Sequence, residues 1–459
     1  GVTGGSAATD DNVFVVSTRK ELVEAVTRAG DAPKIIKIKG TINLSTDDSG
    51  KELFENDYVV APYNFDDYVK AYAPATWNQK LVKGRPVREL SGELEAAREA
   101  SSKAQGRVVR IHVPSNTTLI GLGSDARIIK GGLVIGNKKG SDDIQNSAAA
   151  VENVIIRNIE FQDAFDYFPA WDPGDSWKVD KSYPGCQDTY VDANVGPHRC
   201  PGGRWNSEYD NLWVAGAKRV WIDHCTFSDG ERSDKMFPPN FPFPQNEVTQ
   251  KVQHHDGMLD ISLGADLVTV TYNHFRDHDK SSLIGGSDSL DKIDGGKLNV
   301  TFHDNWYENT GQRLPRVRFG KVHVFNNYYV GDATGNDDPK LSPYQNHLKT
   351  VEANNKGNIF RAAFGIGKES AIYSENNYFE IKNGSAEVVG VIQGGTRFFD
   401  VGSMVNGSPA DILKAINAVD PKKQLSPMLG WTPTLYVKQP IPAAAVPAHV
   451  KAHAGAGKL

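Results

Sequence analysis

Six short stretches of the sequence share one pattern and decide the fold. They are VIIRNIEF (Val154 to Phe161), VWIDHCTF (Val220 to Phe227), VTVTYNHF (Val268 to Phe275), VTFHDNWY (Val300 to Tyr307), VHVFNNYY (Val322 to Tyr329) and AIYSENNYF (Ala371 to Phe379). Each has a β-branched run, then Asn, His or Asp, and then an aromatic residue. The final aromatic residues are 66, 48, 32, 22 and 50 positions apart, which fits a coil of about 22 residues that is sometimes doubled or enlarged by a loop. Such a period is typical of a solenoid.

These repeats predict an all-β protein with the architecture of a parallel β-helix. The strands are short and the period is too small to contain a crossover helix, so each coil must stack on the next. Aligned Asn side chains could then hydrogen-bond between neighbouring coils as a ladder. A β-sandwich is the alternative.

The solenoid also predicts how the chain is organised. A length of 459 residues would suggest about three domains, but one continuous core through the repeats predicts a single domain over 1–459. Long insertions at about 52–106, 163–209 and 229–254 should project as loops. The tail from Gln439 should pack along the outside or cap the end.

The N-terminal part contains signals for a helix and for short strands. Thr18 and Glu21 form a capping box before Leu22, Ala25 and Val26, which predicts one short amphipathic helix ending at Gly30. The segments 34–44 and 107–121 should form strands interrupted at Gly40 and at 114–115. A surface helix is expected over 88–105, within the first insertion.

Composition excludes several classes of partner. Lys and Arg number 51 and Asp and Glu 56, a net charge of -5 without long runs of one sign. We therefore expect no nucleic-acid or membrane partner, and a monomer. No stretch approaches the roughly 20 apolar residues of a membrane helix. The opening GVTGGSAATDD has no charged or apolar leader region, so we expect a secreted chain whose signal peptide has been removed.

The three cysteines do not form a disulfide scaffold. Cys186 and Cys200 are 14 positions apart in a stretch rich in Gly and Pro, and we expect them to form a disulfide. Cys225 lies within an apolar strand pattern and is expected in the core.

Three carboxylates occupy positions that coil stacking could bring together. Asp210 lies in WNSEYDN, and Asp256 and Asp260 lie in HHDGMLDIS. If LDISLGADLV is a strand, Asp260 lies on it and Asp256 lies in the loop before. Clustered carboxylates repel unless a cation joins them, and oxygen ligands without thiolates favour Ca²⁺. Asp beside Gly is also a common turn former, so spacing alone leaves the choice open.

Three histidines offer weaker signals. His254 and His255 suggest zinc, but adjacent side chains on an extended segment point in opposite directions, so at most one could join a given site. His224 occupies the repeat position of Asn158 and Asn326, which favours a ladder residue over a catalytic base.

Basic residues follow the carboxylates in DHDKSS and GQRLPRVRFG. They are Lys280, Arg313, Arg316 and Arg318, with Pro315 stiffening the second segment. Alternation along an extended run would place Arg316 and Arg318 on one face. The cations could be ion-pair partners of the carboxylates, or they could bind a polyanionic substrate together with a metal.

Four motifs in this order resemble one family of enzymes. The motifs VWIDHCTFSDG, QHHDGMLDIS, DHDKSSLIGGSDS and RLPRVRFGKVHVFNNYY are similar to those of the pectate lyases, close to the Bacillus-type extracellular enzymes. The similarity runs from about Thr3 to the terminal AGAGKL. It implies a right-handed parallel β-helix and a lyase that acts on polygalacturonate.

The resemblance also implies roles for individual residues. Asp210, Asp256 and Asp260 match positions that hold the primary Ca²⁺, and Asp175 and Asn206 match positions that help hold further Ca²⁺ when substrate is bound. Arg313 matches the catalytic base. Lys280 and Arg318 match cations that bind the uronate carboxylate, whereas Arg316 matches no assigned role. The loop over 178–204, which lies between Asp175 and Asn206, is longer than in similar enzymes.

The implied mechanism is β-elimination. Ca²⁺ at the C6 carboxylate would make the C5 proton acidic, and Arg313 would remove it. A guanidinium normally stays protonated, but nearby cations would favour loss of its proton, which predicts an alkaline activity optimum. A galacturonan hydrolase would instead need paired carboxylates, a pectin lyase would have little use for Ca²⁺, and a binding protein would keep Ca²⁺ only as a clamp.

Overall fold

Three parallel sheets wind around one axis in the computed structural model. The structure describes residues 1–73, 81–82, 85–86, 92–136, 151–172, 204–241, 251–434 and 439–459. Each full coil gives one strand to sheet 3, then one to sheet 1 and then one to sheet 2, as in Leu259–Ser262, Asp266–Thr271 and His274–Lys280. The predicted parallel β-helix is confirmed.

The strands of each sheet follow one another in coil order. Sheet 1 contains Val13–Val16, Lys34–Ile38, Thr117–Gly121, Glu152–Arg157, Lys218–Asp223, Asp266–Thr271, Asn299–His303, Lys321–Phe325, Ala371–Glu375 and Phe398–Val401. Sheet 2 contains Thr41–Asn43, Arg127–Ile129, Glu160–Gln162, Thr226–Ser228, His274–Lys280, Trp306–Gln312, Tyr328–Asp332, Tyr378–Lys382, Met404–Val405 and the antiparallel Ser408–Pro409. Sheet 3 contains Arg110–Val113, Gly132–Gly136, Leu212–Ala215, Leu259–Ser262, Leu283–Ile284, Arg316–Val317, Phe364–Gly367 and Gly390–Gln393.

The described helices and remaining strands lie at the ends or in the insertions. The α-helices are Arg19–Arg28, Glu55–Tyr58, Phe65–Ala71, Glu93–Val109, Asp291–Asp294, Pro343–Asn354, Ile412–Val419 and Val446–His453. The 3₁₀ helices are Asp10–Asn12, Asp234–Met236, Ala386–Val388 and Ala443–Ala445. Two antiparallel pairs join Leu81–Val82 to Arg85–Pro86 and Ala170–Asp172 to Arg204–Asn206.

The aromatic residues that end the repeats stack inside the coils. Phe161, Phe227, Phe275, Tyr307, Tyr329 and Phe379 form one column with ring centroids 4.6 to 5.2 Å apart. Such spacing equals the distance between neighbouring strands, because each ring sits on the equivalent position of the next coil. The repeat read from the sequence is therefore the structural coil.

An asparagine ladder follows the same coils two positions before the aromatic column. The side-chain amides of Asn273, Asn305 and Asn327 each donate to the Oδ1 of the next Asn along the stack, ending at Asn377, over 2.9 to 3.1 Å. The prediction of a ladder is confirmed, but its position was wrong. His224 lies at the preceding turn, where its φ is 49°, and its ring stacks on Tyr272 at 4.8 Å. The residue at the ladder position of that coil is Cys225.

The N-terminal predictions agree with the structure except at one helix. The capping box of Thr18 and Glu21 opens Arg19–Arg28, and both interrupted strand segments break where expected. The helix expected over 88–105 is Glu93–Val109, and it is not a surface helix throughout: Ala97, Arg98 and Gln105 are buried.

That helix belongs to an aromatic cluster outside the main core. The cluster joins all three insertions and includes Tyr58, Tyr63, Tyr68, Tyr72, Ala97, Phe168, Trp171, Trp205, Phe241 and Val252. The same helix also contacts Tyr209 of the main core, whose hydroxyl donates to the carbonyl of Ser102 over 2.6 Å. The insertions thereby support the chain that leads into Asp210.

The C-terminal tail packs along the outside, as one of the two expected arrangements. The backbone of Ile441 pairs with the side chain of Asn326, His449 contacts Asp304 at 3.3 Å, and Gly457 donates to Asn158 over 2.6 Å. The tail therefore covers the row of left-handed turns between sheets 1 and 2.

The three sheets enclose one main hydrophobic core. The single domain over 1–459 stays a prediction. Cys225 is a buried free thiol, as expected, whereas Cys186 and Cys200 lie outside the described residues. In the described part of the chain, no helix combines the length and apolarity needed to cross a membrane.

Candidate active site

Sheet 3 presents the predicted carboxylates on its outer face. Leu259 and Ile261 point into the core, so Asp260 between them points outward. The expected strand LDISLGADLV is in fact two strands, Leu259–Ser262 and Asp266–Thr271, separated by a turn at Gly264 with a φ of 76°. Asp256 lies in the segment before Asp260, as predicted.

Asp210 reaches the same place from the preceding coil. It lies two residues before Leu212–Ala215, which pairs in parallel with Leu259–Ser262. The Gly257 amide donates to Oδ1 of Asp210 over 2.8 Å. A Cβ added to Gly257 would lie 2.3 Å from Oδ1 of Asp260 and 2.9 Å from Oδ1 of Asp210. Glycine thus keeps open the space where the two carboxylates converge.

The three carboxylates differ in how their charge is compensated. Burial, and then repulsion from Asp256, raises the pKa of Asp260 to about 7. Burial and repulsion from the other two also raise the pKa of Asp210 well above its usual value. Burial acts on Asp256 as well, but the Lys280 ammonium, 2.6 Å from its Oδ1, and the Arg313 guanidinium lower its pKa. When ionised, Asp210 and Asp260 are therefore less well compensated than Asp256.

This chemistry fits a hard cation. The donors are all carboxylate oxygens, two of them repel each other when ionised, and the space between them is kept by Gly257. As the side chains stand in the described residues, no three acidic, histidine or cysteine side chains are grouped closely enough to hold an ion. Asp256 is engaged with Lys280 instead, so a cation would have to replace the ammonium there.

Arg313 lies at the end of the strand Trp306–Gln312, in a left-handed turn with a φ of 61°. Its carbonyl accepts from the Ser282 amide over 2.7 Å, and the next amide, of Leu314, donates to Ala363 over 2.7 Å. The backbone is therefore fixed on both sides. The Nε of Arg313 is buried without a hydrogen-bond partner among the described residues. Its charge acts on both Asp256 and Asp260.

The other cations are already paired. Lys280 is only 3% exposed and contacts Asp256. Arg318 donates from Nε to Oδ1 of Asp288 over 2.6 Å and from a terminal nitrogen to the Gly285 carbonyl over 3.0 Å. Arg316 lies in the row of Asp260 on the outer face, opposite Leu283 of the neighbouring coil. Unlike Lys280 and Arg318, Arg313 has no carboxylate partner in the described residues.

Of the two residues expected to help hold further Ca²⁺, only Asn206 lies within the described residues. Asn206 ends the strand Arg204–Asn206, which pairs with Ala170–Asp172 near the aromatic cluster. Asp175 lies outside the described residues.

The sequence reasoning missed a second buried network beneath Asp256. His255 lies between Asp234 at 2.8 Å and Asp163 at 2.9 Å, and His278 contacts Asp229 at 2.7 Å. The Nε2 of His278 also contacts the carbonyl of Asp256. The sequence pattern could have indicated two of its carboxylates, because an Asp follows the aromatic residue of the repeat by two positions at 163, 229 and 277.

The neighbouring His254 takes no part in that network through its ring. Its Nδ1 lies 2.6 Å from the carbonyl of Asp166, and its ring stacks on Phe165 at 4.3 Å. The two adjacent histidines thus have different partners, and neither joins the carboxylate cluster of Asp210 and Asp260.

Comparisons with known proteins agree with this architecture. The family model described as "Pectate lyase" matches residues 55–194 and 186–459. A pectate lyase of Bacillus subtilis (strain 168) is 41% identical over 462 residues, covering 100% of this chain and 90% of that protein. Pectate lyase A of Dickeya chrysanthemi is 32% identical over 414 residues, covering 89% of this chain and 76% of that protein.

A solved structure of a pectate lyase bound to a hexasaccharide has the same fold. Its TM-score is 0.78 at 40% identity, covering 100% of this chain and 95% of that chain. The chain belongs to the pectate lyase family. It is a polysaccharide lyase.

Proposed function

We propose that this chain cleaves polygalacturonate, the de-esterified form of pectin, by Ca²⁺-dependent β-elimination and releases 4,5-unsaturated oligogalacturonides. One observation carries the proposal. Burial and mutual repulsion disfavour the charged forms of Asp210 and Asp260 at the outer face of sheet 3, and the nearby Arg313 guanidinium has no carboxylate partner in the described residues. A cation and an anionic substrate would complete this arrangement.

Asp210, Asp256 and Asp260 would hold the primary Ca²⁺. The resemblance adds Asp175 and Asn206 as residues that help hold further Ca²⁺ with substrate present. When bound, Ca²⁺ would draw charge from the C6 carboxylate of a uronate and make its neighbouring C5 proton more acidic.

Lys280 and Arg318 would bind the uronate carboxylate. Both already contact carboxylates of the protein, Asp256 and Asp288, which supports this role. Asp288 is largely exposed, with 61% of its side chain accessible, so a substrate carboxylate could replace it at little cost.

Arg313 would remove the C5 proton. A base must not be tied to a carboxylate, and Arg313 meets this condition among the described residues. We expect an activity optimum on the alkaline side, because a guanidinium in general gives up its proton only at high pH. The electrons of the C5–H bond then form the C4–C5 double bond, and the electron pair of the broken C4–O bond stays on the leaving oxygen. That oxygen takes up a proton from solvent, Arg313 returns its proton to solvent, and no water is consumed.

Family membership also bears on the substrate, the location and the partners of the chain. A related pectate lyase has been solved with a hexasaccharide, which supports a polymer of uronates as the substrate. We propose a monomer that is secreted, with no nucleic-acid or membrane partner. The net charge of -5, without long runs of one sign, supports the last two points.

The test is to incubate the purified chain with polygalacturonate in alkaline buffer containing Ca²⁺. Ultraviolet absorbance and product masses then identify the reaction. Products that absorb and contain no added water support the proposal. Reducing ends without absorbance would indicate a hydrolase, faster reaction on methylated pectin would indicate a pectin lyase, and binding without products would indicate a binding protein.

A further inference from the structure

Arg110 lies on the same outer face as the carboxylate cluster but several coils earlier. It begins the first strand of sheet 3, Arg110–Val113, whose Ile111 and Val113 point into the core. Arg110 therefore points outward, toward the side of the sheet that carries Asp260. Its charge is close enough to Asp210 to oppose the rise in the pKa of that carboxyl.

Two aromatic rings hold the Arg110 guanidinium. Its central carbon lies 5.4 Å from the ring centroid of Trp213 and 5.7 Å from that of Tyr209. Trp213 is itself fixed, because its indole N–H donates to the Ser262 hydroxyl over 2.9 Å. Trp213 is also the register partner of Asp260 in the next coil. The Trp213 ring that holds the guanidinium thus belongs to the strand next to that of Asp260, and neighbouring strands are about 4.8 Å apart.

The chain contains a second arginine and tryptophan pair that serves as a comparison. Arg157 lies over Trp221 at 5.2 Å on sheet 1, and the Trp221 indole donates to the Thr271 hydroxyl over 2.9 Å. Arg157, however, also forms an ion pair with Asp223 at 2.7 Å. Among the described residues, Arg110 has no ion pair and no side-chain hydrogen bond. Both arginines thus lie over a tryptophan ring, but only Arg157 has an ion-pair partner among the described residues.

We propose that Arg110 is a further substrate-binding cation, which holds the carboxylate of a uronate unit on the N-terminal side of the reacting unit. Trp213 and Tyr209 act as positioning residues that keep its donors oriented. Neighbouring coils are about 4.8 Å apart, close to the size of one sugar unit, so a chain lying along sheet 3 would present successive carboxylates to successive coils. The inference rests on the proposed function, because it requires a polyuronate in this groove.

The test compares Arg110→Gln with Arg157→Gln as the matched control. With polygalacturonate, Arg110→Gln should raise KM by about 10-fold, with a much smaller change in kcat, because one charge-assisted hydrogen-bonded contact is lost. Arg110→Lys should fall between wild type and Arg110→Gln. Arg157→Gln should leave KM unchanged. The ratio of KM between Arg110→Gln and wild type should shrink on partly methylated pectin, where fewer units carry a charge.

Three outcomes would overturn the inference. Equal KM values for wild type and Arg110→Gln would show that Arg110 does not bind substrate. A KM effect that is the same on methylated and unmethylated polymer would show that no carboxylate is recognised. A changed Ca²⁺ requirement with an unchanged KM would show that Arg110 serves only as a counter-ion of Asp210. If wild type forms no unsaturated product at all, the proposed function fails instead, and the two failures are distinguishable.

Discussion

Two clusters of buried carboxylates lie within a few residues of each other, and they are built in opposite ways. In the network beneath the site, His255 contacts both Asp163 and Asp234, and Arg232 adds a second cation to Asp163 at 2.9 Å. On the outer face of sheet 3, Asp210 and Asp260 have no such cation, and only Asp256 is paired, with Lys280.

The pKa values show the same difference. His255 lowers the pKa of Asp234 well below its usual value although Asp234 is buried, whereas the pKa of Asp260 rises to about 7. A buried charge that the chain itself neutralises contributes to structure. A buried charge left without a partner destabilises the chain unless something outside it supplies the partner. The comparison teaches that the balance of charge, and not the clustering of carboxylates alone, distinguishes a structural network from a candidate binding site.

The largest expected effect concerns the two arginines of these clusters. Arg313→Ala should lower kcat by about 10²- to 10⁴-fold, the usual contribution of a positioned base, with little change in thermal stability. Arg232→Ala should instead lower thermal stability with little change in kcat. Arg232 pairs with Asp163 and lies 3.8 Å from the ring centroid of Phe165, so its loss removes structural contacts. Initial rates and melting curves of both variants measure this. Full activity in Arg313→Ala would remove Arg313 from the mechanism.

The next effect is on stability. Asp234→Asn should reduce the free energy of unfolding by about 3–5 kcal/mol, because it leaves His255 with a buried charge that only one side still compensates. Asp260→Asn, measured in chelator, should leave that free energy unchanged or raise it, since it removes a repelling charge. Urea unfolding of both variants gives the values. Similar losses in both would mean that the two clusters do not differ as described.

Adjacent histidines should give opposite pH dependence. Despite burial, Asp229, Asp163 and Asp234 raise the pKa of His255 to about 10, so its stabilising contribution is complete below about 6.5 and is lost as pH rises through 10. Burial lowers the pKa of His254 to about 4, so stability should instead fall as pH drops from about 6.5 to 4.

Unfolding free energies measured across pH in chelator separate the two histidines. His255→Gln should abolish the alkaline slope and His254→Gln the acidic one. An alkaline slope that persists in His255→Gln would assign it to another group.

A smaller effect should accompany Ca²⁺ binding. The raised pKa of Asp260, about 7, means that its carboxyl is largely protonated below neutral pH, and a cation must displace that proton. Calorimetric titration at pH 6 in buffers of different ionisation enthalpy should therefore show proton release. In Asp260→Asn the release should decrease. Binding without any proton release would contradict the raised pKa.

The smallest expected change concerns the cysteines. If Cys186 and Cys200 form the predicted disulfide, thiol titration of the unfolded, unreduced chain should find one reactive thiol, from Cys225. Three thiols would refute the disulfide. In the folded protein Cys225 itself should react slowly, because burial raises its pKa to about 12.

The repeats made the fold predictable because each coil uses the same positions for the same purpose. Val154, Val220, Val268, Val300 and Val322 are register partners in sheet 1, so a pattern visible in the sequence is a contact in the structure. The ladder was placed one residue early because Asn also favours the left-handed turn. Asn158 and Asn326 occupy that turn with φ values of 56° and 53°.

The site was predictable only in part. Spacing and the resemblance identified Asp210, Asp256 and Asp260, and register explains why they meet. The sequence did not reveal that Lys280 pairs with Asp256, nor that His255 lies between two carboxylates, because these partners come from different coils. The helix Pro343–Asn354 was also missed, since it lies between two repeats whose spacing allowed for a loop of any kind.

The most direct test of the account is a calcium titration of lyase activity. Chelator-treated wild type and Asp260→Asn are supplied with polygalacturonate, and the ultraviolet absorbance of unsaturated product is followed as Ca²⁺ is added. The account predicts no product in excess chelator, a saturable recovery in wild type, and a recovery in Asp260→Asn that is absent or requires far more Ca²⁺. Full activity in excess chelator, or the same calcium dependence in both proteins, would contradict it.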